Sequence, residues 1–225
     1  MPSSRLNKLS ESDREAFLLA HRCPTGRLGR EVAEDMNSHH LPLREWGLNL
    51  ASFPAEARLL EAACGGGMTA RSLLRERGVS SLVGFDLSEE MAQFSRQINR
   101  EEVDNSRAVF LTADVSNLPF ADSSFDGALA FETIYFWPDL ARGIRELIRT
   151  LRPGGPLLIV NELYRYQELT DEEEGVIELL EMEVLTPDGY LEVLAKAGLK
   201  NLKATLHPDQ PWIALTGCRT SKDNE

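Results

Sequence analysis

Short apolar runs that end on an acid recur along this chain, each followed by residues at helical spacing. Leu59-Leu60 runs into Glu61, Leu82-Val83-Gly84-Phe85 into Asp86, and Ala128-Leu129-Ala130-Phe131 into Glu132. Ala108-Val109-Phe110-Leu111 reaches Asp114 three residues on. Continuous apolar runs suit strands covered on both faces, so the pattern predicts an α/β fold built on a parallel sheet. Pro156-Leu157-Leu158-Ile159-Val160 is a fifth strand. Residues 199–206 and 212–218 read as two more, joined by His207-Pro208-Asp209-Gln210-Pro211, a link too short for a crossover; they are expected to form an antiparallel hairpin at the sheet edge.

Between the strands, a helix from Thr69 stops at Gly78, and Ser88 caps a second with Met91, Phe94 and Ile98 facing inward. Pro138 opens a third that carries Ile144, Leu147, Ile148 and Leu151 and ends at Pro153-Gly154-Gly155. Residues 167–183 form an acidic run read as the solvated start of a helix, and Thr186-Pro187-Asp188 starts another that ends at Gly198. Residues 1–57 lack strands; 10–20 and 32–50 have helical spacing. The expected organisation is a helical N-terminal cap, 1–57, and an α/β domain, 58–225, with 164–185 as an insertion on the substrate side.

A chain of 225 residues can bury a core without disulfides or metal. Its net charge of −12 speaks against a nucleic-acid backbone or an anionic membrane as partner. Cys23, Cys64 and Cys218 have neither disulfide nor zinc spacing, so no metal is expected. The first twenty residues have no signal-type apolar segment, and no run of about 18 apolar residues occurs. A cytoplasmic monomer or homodimer is the expectation.

The candidate chemistry lies where the first strand gives way to Gly65-Gly66-Gly67. Three glycines remove every Cβ from the turn, so a ligand can approach the backbone and the amides opening the next helix. Gly65-Gly66-Gly67-Met68-Thr69-Ala70 also fits the dinucleotide pattern G-x-G-x-x-G/A, and a plain tight turn would use the same residues. The acids separate these readings. Asp86 stands 19 residues after Gly67, where an acceptor for a ribose diol is expected. Asp114 is positioned to accept from an exocyclic amine, and the Val115 amide to donate to a ring nitrogen. Glu61 would oppose a pyrophosphate at this loop, whereas S-adenosylmethionine has no phosphate and brings an ammonium and a sulfonium.

With Leu60-Glu61-Ala62-Ala63-Cys64-Gly65-Gly66-Gly67, Gly84-Phe85-Asp86-Leu87-Ser88-Glu89-Glu90-Met91, Ala113-Asp114-Val115, Leu118-Pro119-Phe120, Ser124-Phe125-Asp126 and Leu151-Arg152-Pro153-Gly154-Gly155 in this order, the chain resembles the class I S-adenosylmethionine-dependent methyltransferases. The likeness is to their small-molecule, ubiquinone/menaquinone methyltransferase-like branch, over about residues 58–218. It implies a Rossmann-like seven-stranded, mostly parallel sheet with a reversed last strand, and S-adenosyl-L-methionine as cofactor. It also implies that Glu61 and the glycine loop hold the methionyl part, Asp86 the ribose, and Asp114 with Val115 the adenine. Ala63, Cys64, Leu87, Met91 and Phe131 complete the implied cofactor set. Ala63 departs from the family, which has its first glycine there.

The implied reaction is in-line methyl transfer to a small-molecule acceptor, with a base needed only if the acceptor starts protonated. Glu132 and Tyr135 are the candidate catalytic residues, and Trp137, Tyr164 and Tyr166 are further groups expected near the methyl. Met36, Asn37, His40 and Trp46 of the cap are expected over the cofactor; the paired His39 and His40 also fit a solvated helix end. A non-catalytic S-adenosylmethionine-binding module, and an NAD(P)-dependent oxidoreductase, are the other readings of the same loop.

Overall fold

The computed structural model describes residues 10–166 and 169–220. The first two residues of the acidic run, 167 and 168, therefore lie outside the described residues. Seven strands form one sheet in the order β3-β2-β1-β4-β5-β7-β6. They are β1 (Arg58–Ala62), β2 (Ser81–Asp86), β3 (Ala108–Thr112), β4 (Gly127–Phe131), β5 (Pro156–Asn161), β6 (Leu199–Leu206) and β7 (Ile213–Arg219). β1 to β5 run parallel, and β7 inserts antiparallel between β5 and β6. The predicted hairpin and the reversed last strand are both present, with β6 as the outer edge.

Burial on both faces explains the unbroken apolar runs. Leu60, Ala62, Val83, Phe85, Ala130 and Ile159 point to one side, under α7 (Leu140–Thr150) and α9 (Pro187–Lys196). The intervening Leu59, Leu82, Leu129, Leu158 and Val160 point to the other, under α3 (Leu41–Leu48) and α4 (Met68–Glu76). α7 buries Leu140, Ile144, Leu147 and Ile148, the face its spacing predicts. α5 (Glu89–Ile98) begins as expected at Ser88, whose hydroxyl accepts from the Met91 amide, and α6 (Arg100–Asp104) leads into β3.

Among the described residues three helices precede the sheet: α1 (Glu11–Leu19), α2 (Gly26–His39) and α3. The single periodic stretch 32–50 is two helices, broken at His40. Pro42 lies in the first turn of α3; it cannot donate the backbone hydrogen bond that a continuous helix requires, so the chain turns at His40. α2 is tied over the carboxyl ends of the strands. Ser88 Oγ donates to Pro24 O at 2.7 Å, the Gly26 amide donates to the Glu90 carboxylate, and Asn37 Nδ2 donates to Gly66 O at 3.4 Å. α8 (Asp171–Leu179), capped reciprocally by Thr170 and Glu173, approaches from the other side, with ion pairs Arg14–Glu172 and Arg22–Glu181 joining it and the turn after it to α1 and the turn after α1.

Candidate active site

Two adjoining cavities lie between these helices and the strand ends. The smaller, about 70 Å³, is lined by Glu61, Ala63, Cys64, Gly65, Gly66, Met68, Thr69 and Met91 from the first strand, glycine loop and following helices, and by Asn37, His40, Arg44, Phe131 and Glu132. The larger, about 350 Å³, is walled by Leu18, Met36, Phe136, Leu163, Val176, Leu180 and Met182, with His39, His40, Glu132, Tyr135 and Glu162 at one end. Met36, His40 and Glu132 line both.

The glycine loop is shaped by contacts that leave no room for side chains. Gly67 has φ +74°, and a Cβ there would stand 2.7 Å from Ser95 Oγ and Asn99 Nδ2. Those two groups hold the loop from below, Ser95 Oγ donating to Gly65 O at 2.8 Å and Asn99 Nδ2 to Gly67 O at 2.9 Å. A Cβ on Gly66 would meet Asn37 at 2.3 Å. Ala63 takes φ +49°, a left-handed conformation that costs an L-residue about 1–2 kcal/mol, which is the physical reason a glycine suits this place.

Asp86 and Glu61 do different work. Asp86 Oδ2 accepts from the Gly65 amide and Oδ1 from the Ser88 amide, both at 2.9 Å, so the carboxylate clamps the first loop to the second. Burial raises its pKa against those hydrogen bonds. Glu61 is 3% exposed and its Oε2 has no partner; burial pushes its pKa up to about 8, with Thr69 and Arg44 opposing. Arg44 is 5% exposed and its Nε is also unpartnered; desolvation lowers its pKa. A buried acid and a buried guanidinium, each with one unpartnered atom, on one small cavity fit a zwitterion, an α-ammonium with an α-carboxylate, such as the methionyl end of S-adenosylmethionine.

Of the other expected cofactor residues, Met91 and Phe131 line the small cavity. Leu87 is 66% exposed. Asp114 is also exposed; its Oδ1 accepts the Ser116 amide at 2.8 Å, and hydrogen bonding by Ser116 lowers its pKa. Val115 is half-buried against the core beside Gly143.

Glu132 and Tyr135 stand together. The Tyr135 hydroxyl donates to Glu132 Oε2 at 2.8 Å, and the Glu162 amide donates to the other oxygen, Oε1. Burial and the neighbouring Glu162 carboxylate push Glu132's pKa well up; Glu132 itself is left-handed, φ +55°. Glu162 is held well below the usual carboxylate range because His39 and His40 outweigh the effect of its burial. His39 Nε2 lies 3.6 Å from Glu162 Oε2, and His40 Nε2 3.8 Å from Glu162 Oε1 and 3.9 Å from Glu132 Oε2. The His39, His40 and Glu162 atoms are within 4.8 Å of one another, close enough for one ion, but each imidazole nitrogen already faces one oxygen of Glu162.

Three aromatic candidates stand elsewhere. Trp137 is core, 7% exposed, its indole N–H on Thr133 Oγ1 at 3.1 Å and its ring against Gly143. Tyr164 packs on the same core, and Tyr166 donates to Glu173 at 2.8 Å. Neither tyrosine lines either of these two cavities, and their rings lie against each other at 5.5 Å. Trp46 sits apart in a cluster with His207 and Trp212. Sequence reasoning missed Glu162 and Arg44. Glu162 had a signal, since the fifth apolar run also ends on an acid; Arg44, inside a helical stretch, had none.

A seven-stranded sheet with this order and one reversed strand, a glycine loop after β1 and acids at the strand ends make a Rossmann-like fold of the kind seen in methyltransferase structures. Residues 60–159 match the family described as "Methyltransferase domain", in agreement with the resemblance to class I S-adenosylmethionine-dependent methyltransferases of the small-molecule type. Methyltransferase GfsG of Streptomyces halstedii is 34% identical over 155 residues, 66% of this chain and 54% of that protein. A SAM-dependent methyltransferase from Thermotoga maritima superposes with a TM-score of 0.70 at 22% identity, covering 90% of this chain and all of the other. Phosphoethanolamine N-methyltransferase 2 of Haemonchus contortus, solved with S-adenosyl-L-methionine, gives 0.71 at 16% identity over 80% of this chain and 53% of that one. The chain spans about half the length of GfsG. Among the described residues no helix is long and apolar enough to cross a membrane.

Proposed function

We propose that this chain moves the methyl group of S-adenosylmethionine to a small-molecule acceptor bound in the larger cavity. The observation that carries the reading is the pair of buried, unpartnered atoms Glu61 Oε2 and Arg44 Nε on residues lining the small cavity, one wall of residues away from an apolar chamber. When bound, S-adenosylmethionine supplies an activated methyl on a leaving group that departs neutral. The protein's part is therefore to bind, orient and exclude water. Glu61 takes the ammonium, the loop amides and Arg44 the carboxylate, Asp86 the ribose through its remaining lone pairs, and Asp114 with Val115 the adenine edge. Ala63, Cys64, Gly65, Gly67, Leu87, Met91 and Phe131 shape the rest of the cofactor site. Glu132 and Tyr135 face the acceptor.

Residues 1–57 act as a cap and 164–185 as a substrate-side insertion on the catalytic domain, 58–225. Free Cys23, Cys64 and Cys218 support a reducing cytoplasmic setting, with the chain as a monomer or homodimer. Titration calorimetry with S-adenosylmethionine and S-adenosylhomocysteine tests the reading. Heat with both, lost in Glu61→Gln, is expected; a folded protein silent to both overturns it.

A further inference from the structure

The acid-and-imidazole end of the large cavity sits where the two cavities meet, so whatever occupies it adjoins the cofactor site. Facing this end are His21, beyond the end of α1, Asp35 and His39 of α2, His40, and the carboxylates of Glu132 and Glu162. Among the described residues, neither lysine nor arginine lines the cavity. The remaining wall is apolar, from Leu18 and Met36 to Val176, Leu180 and Met182. Glu162 has His39 Nε2 at 3.6 Å and His40 Nε2 at 3.8 Å, while Glu132 is buried, 6% exposed, and among the described residues has the Tyr135 hydroxyl and a backbone amide as donors, with His40 at 3.9 Å. Burial beside Glu162 favours the protonated form of Glu132, and a bound cation shifts it toward the carboxylate.

We infer that the acceptor is an apolar amine, bound as its ammonium against Glu132 and Glu162 with its hydrocarbon body among the cap and α8 side chains, and that His40 removes its proton. This rests on the methyltransferase reading above. An ammonium supplies the cation that favours the ionised form of Glu132 beside Glu162, whereas an alcohol brings no charge and a carboxylate or phosphate adds a negative group. An ammonium has no lone pair and cannot attack. His40 Nε2, adjoining both cavities, accepts one N–H proton and leaves the neutral amine. The amine nitrogen then forms its bond to the methyl carbon as the sulfonium S–C bond breaks, giving the methylammonium product and neutral S-adenosylhomocysteine. The imidazolium returns its proton to solvent.

The test titrates the S-adenosylhomocysteine-loaded protein with hexylamine, octylamine and decylamine, and with the alcohols and carboxylates of the same lengths. The amines are expected to bind at least about tenfold tighter than the matching alcohols, increasingly so with length, and the carboxylates not at all. Glu132→Gln should erase that preference. In turnover with decylamine, His40→Gln should lower kcat by about a hundredfold or more while amine binding stays. Alcohols or carboxylates binding as well as amines, or no amine binding, overturns the inference; so does unaltered turnover in His40→Gln. The wild-type comparison needs no variant to fold. Loss of S-adenosylhomocysteine binding itself would instead count against the methyltransferase reading.

Discussion

Asp86 Oδ2 accepts the backbone amide of Gly65 at 2.9 Å, so the acid ending the second strand fixes the turn that ends the first. The carboxylate has a mechanical duty before any ligand arrives. Asp86→Ala is expected to leave the Gly65 and Ser88 amides without their acceptor. It should cost about 1–3 kcal/mol of stability and weaken S-adenosylhomocysteine binding by about tenfold or more. Denaturant unfolding and calorimetry measure the two losses; unchanged affinity in the folded variant would contradict the ribose assignment.

Glu61 couples the site to pH. Its carboxyl, raised to about 8 by burial, keeps its proton in the folded protein where an unfolded chain has already lost it. Its contribution to stability is thus complete below the ordinary carboxylate range and is lost as pH rises toward about 8. Within that window the slope is about 1.4 kcal/mol per pH unit, and Glu61→Gln should remove it. A ligand ammonium favours the ionised form, so binding below pH 8 should release a proton and tighten as pH rises. Calorimetry in two buffers of different ionisation enthalpy reads that proton; none released in wild type contradicts the Glu61–ammonium pairing.

Two positions in the loop should respond with opposite sign. Gly67→Ala places a methyl 2.7 Å from Ser95 Oγ and 2.9 Å from its Cα, at φ +74°. A destabilisation of about 1–3 kcal/mol is expected. Ala63→Gly relieves a left-handed alanine at φ +49°, a gain of about 1–2 kcal/mol, offset by about 0.4–1 kcal/mol of added freedom in the unfolded chain. The net result, neutral to about 1 kcal/mol stabilised, is readable from urea midpoints. A destabilised Ala63→Gly would show that its methyl makes a contact worth more than the strain.

Trp137 and Tyr135 are two residues apart and should separate cleanly. Trp137→Ala empties core space and is expected to cost about 3–5 kcal/mol. Tyr135→Phe keeps the ring and removes only the hydroxyl held at 2.8 Å by Glu132, so the fold should tolerate it while the acceptor end of the cavity loses a donor. Thermal unfolding distinguishes them, and a Trp137→Ala protein as stable as wild type would contradict its placement in the core.

The local pattern was enough for the sheet and the first loop. Strands buried on both faces must be apolar throughout, and the turn that lets a ligand meet the backbone must lack side chains; both requirements are written in adjacent residues, as are the acids Glu61, Asp86 and Glu132. The break at His40 was marked only by Pro42, and a helical period continues across such a turn. Only the folded chain decided which side chains share a cavity. His40, Glu132 and Glu162 converge because β4 and β5 are neighbours in the sheet and α2 is pinned over their ends, a closeness of residues some 30 to 120 positions apart that no periodicity records. The same long-range packing sends Trp137 inward and leaves Glu61 Oε2 and Arg44 Nε buried without hydrogen-bond partners, because burial is a property of the surrounding elements and not of the residue.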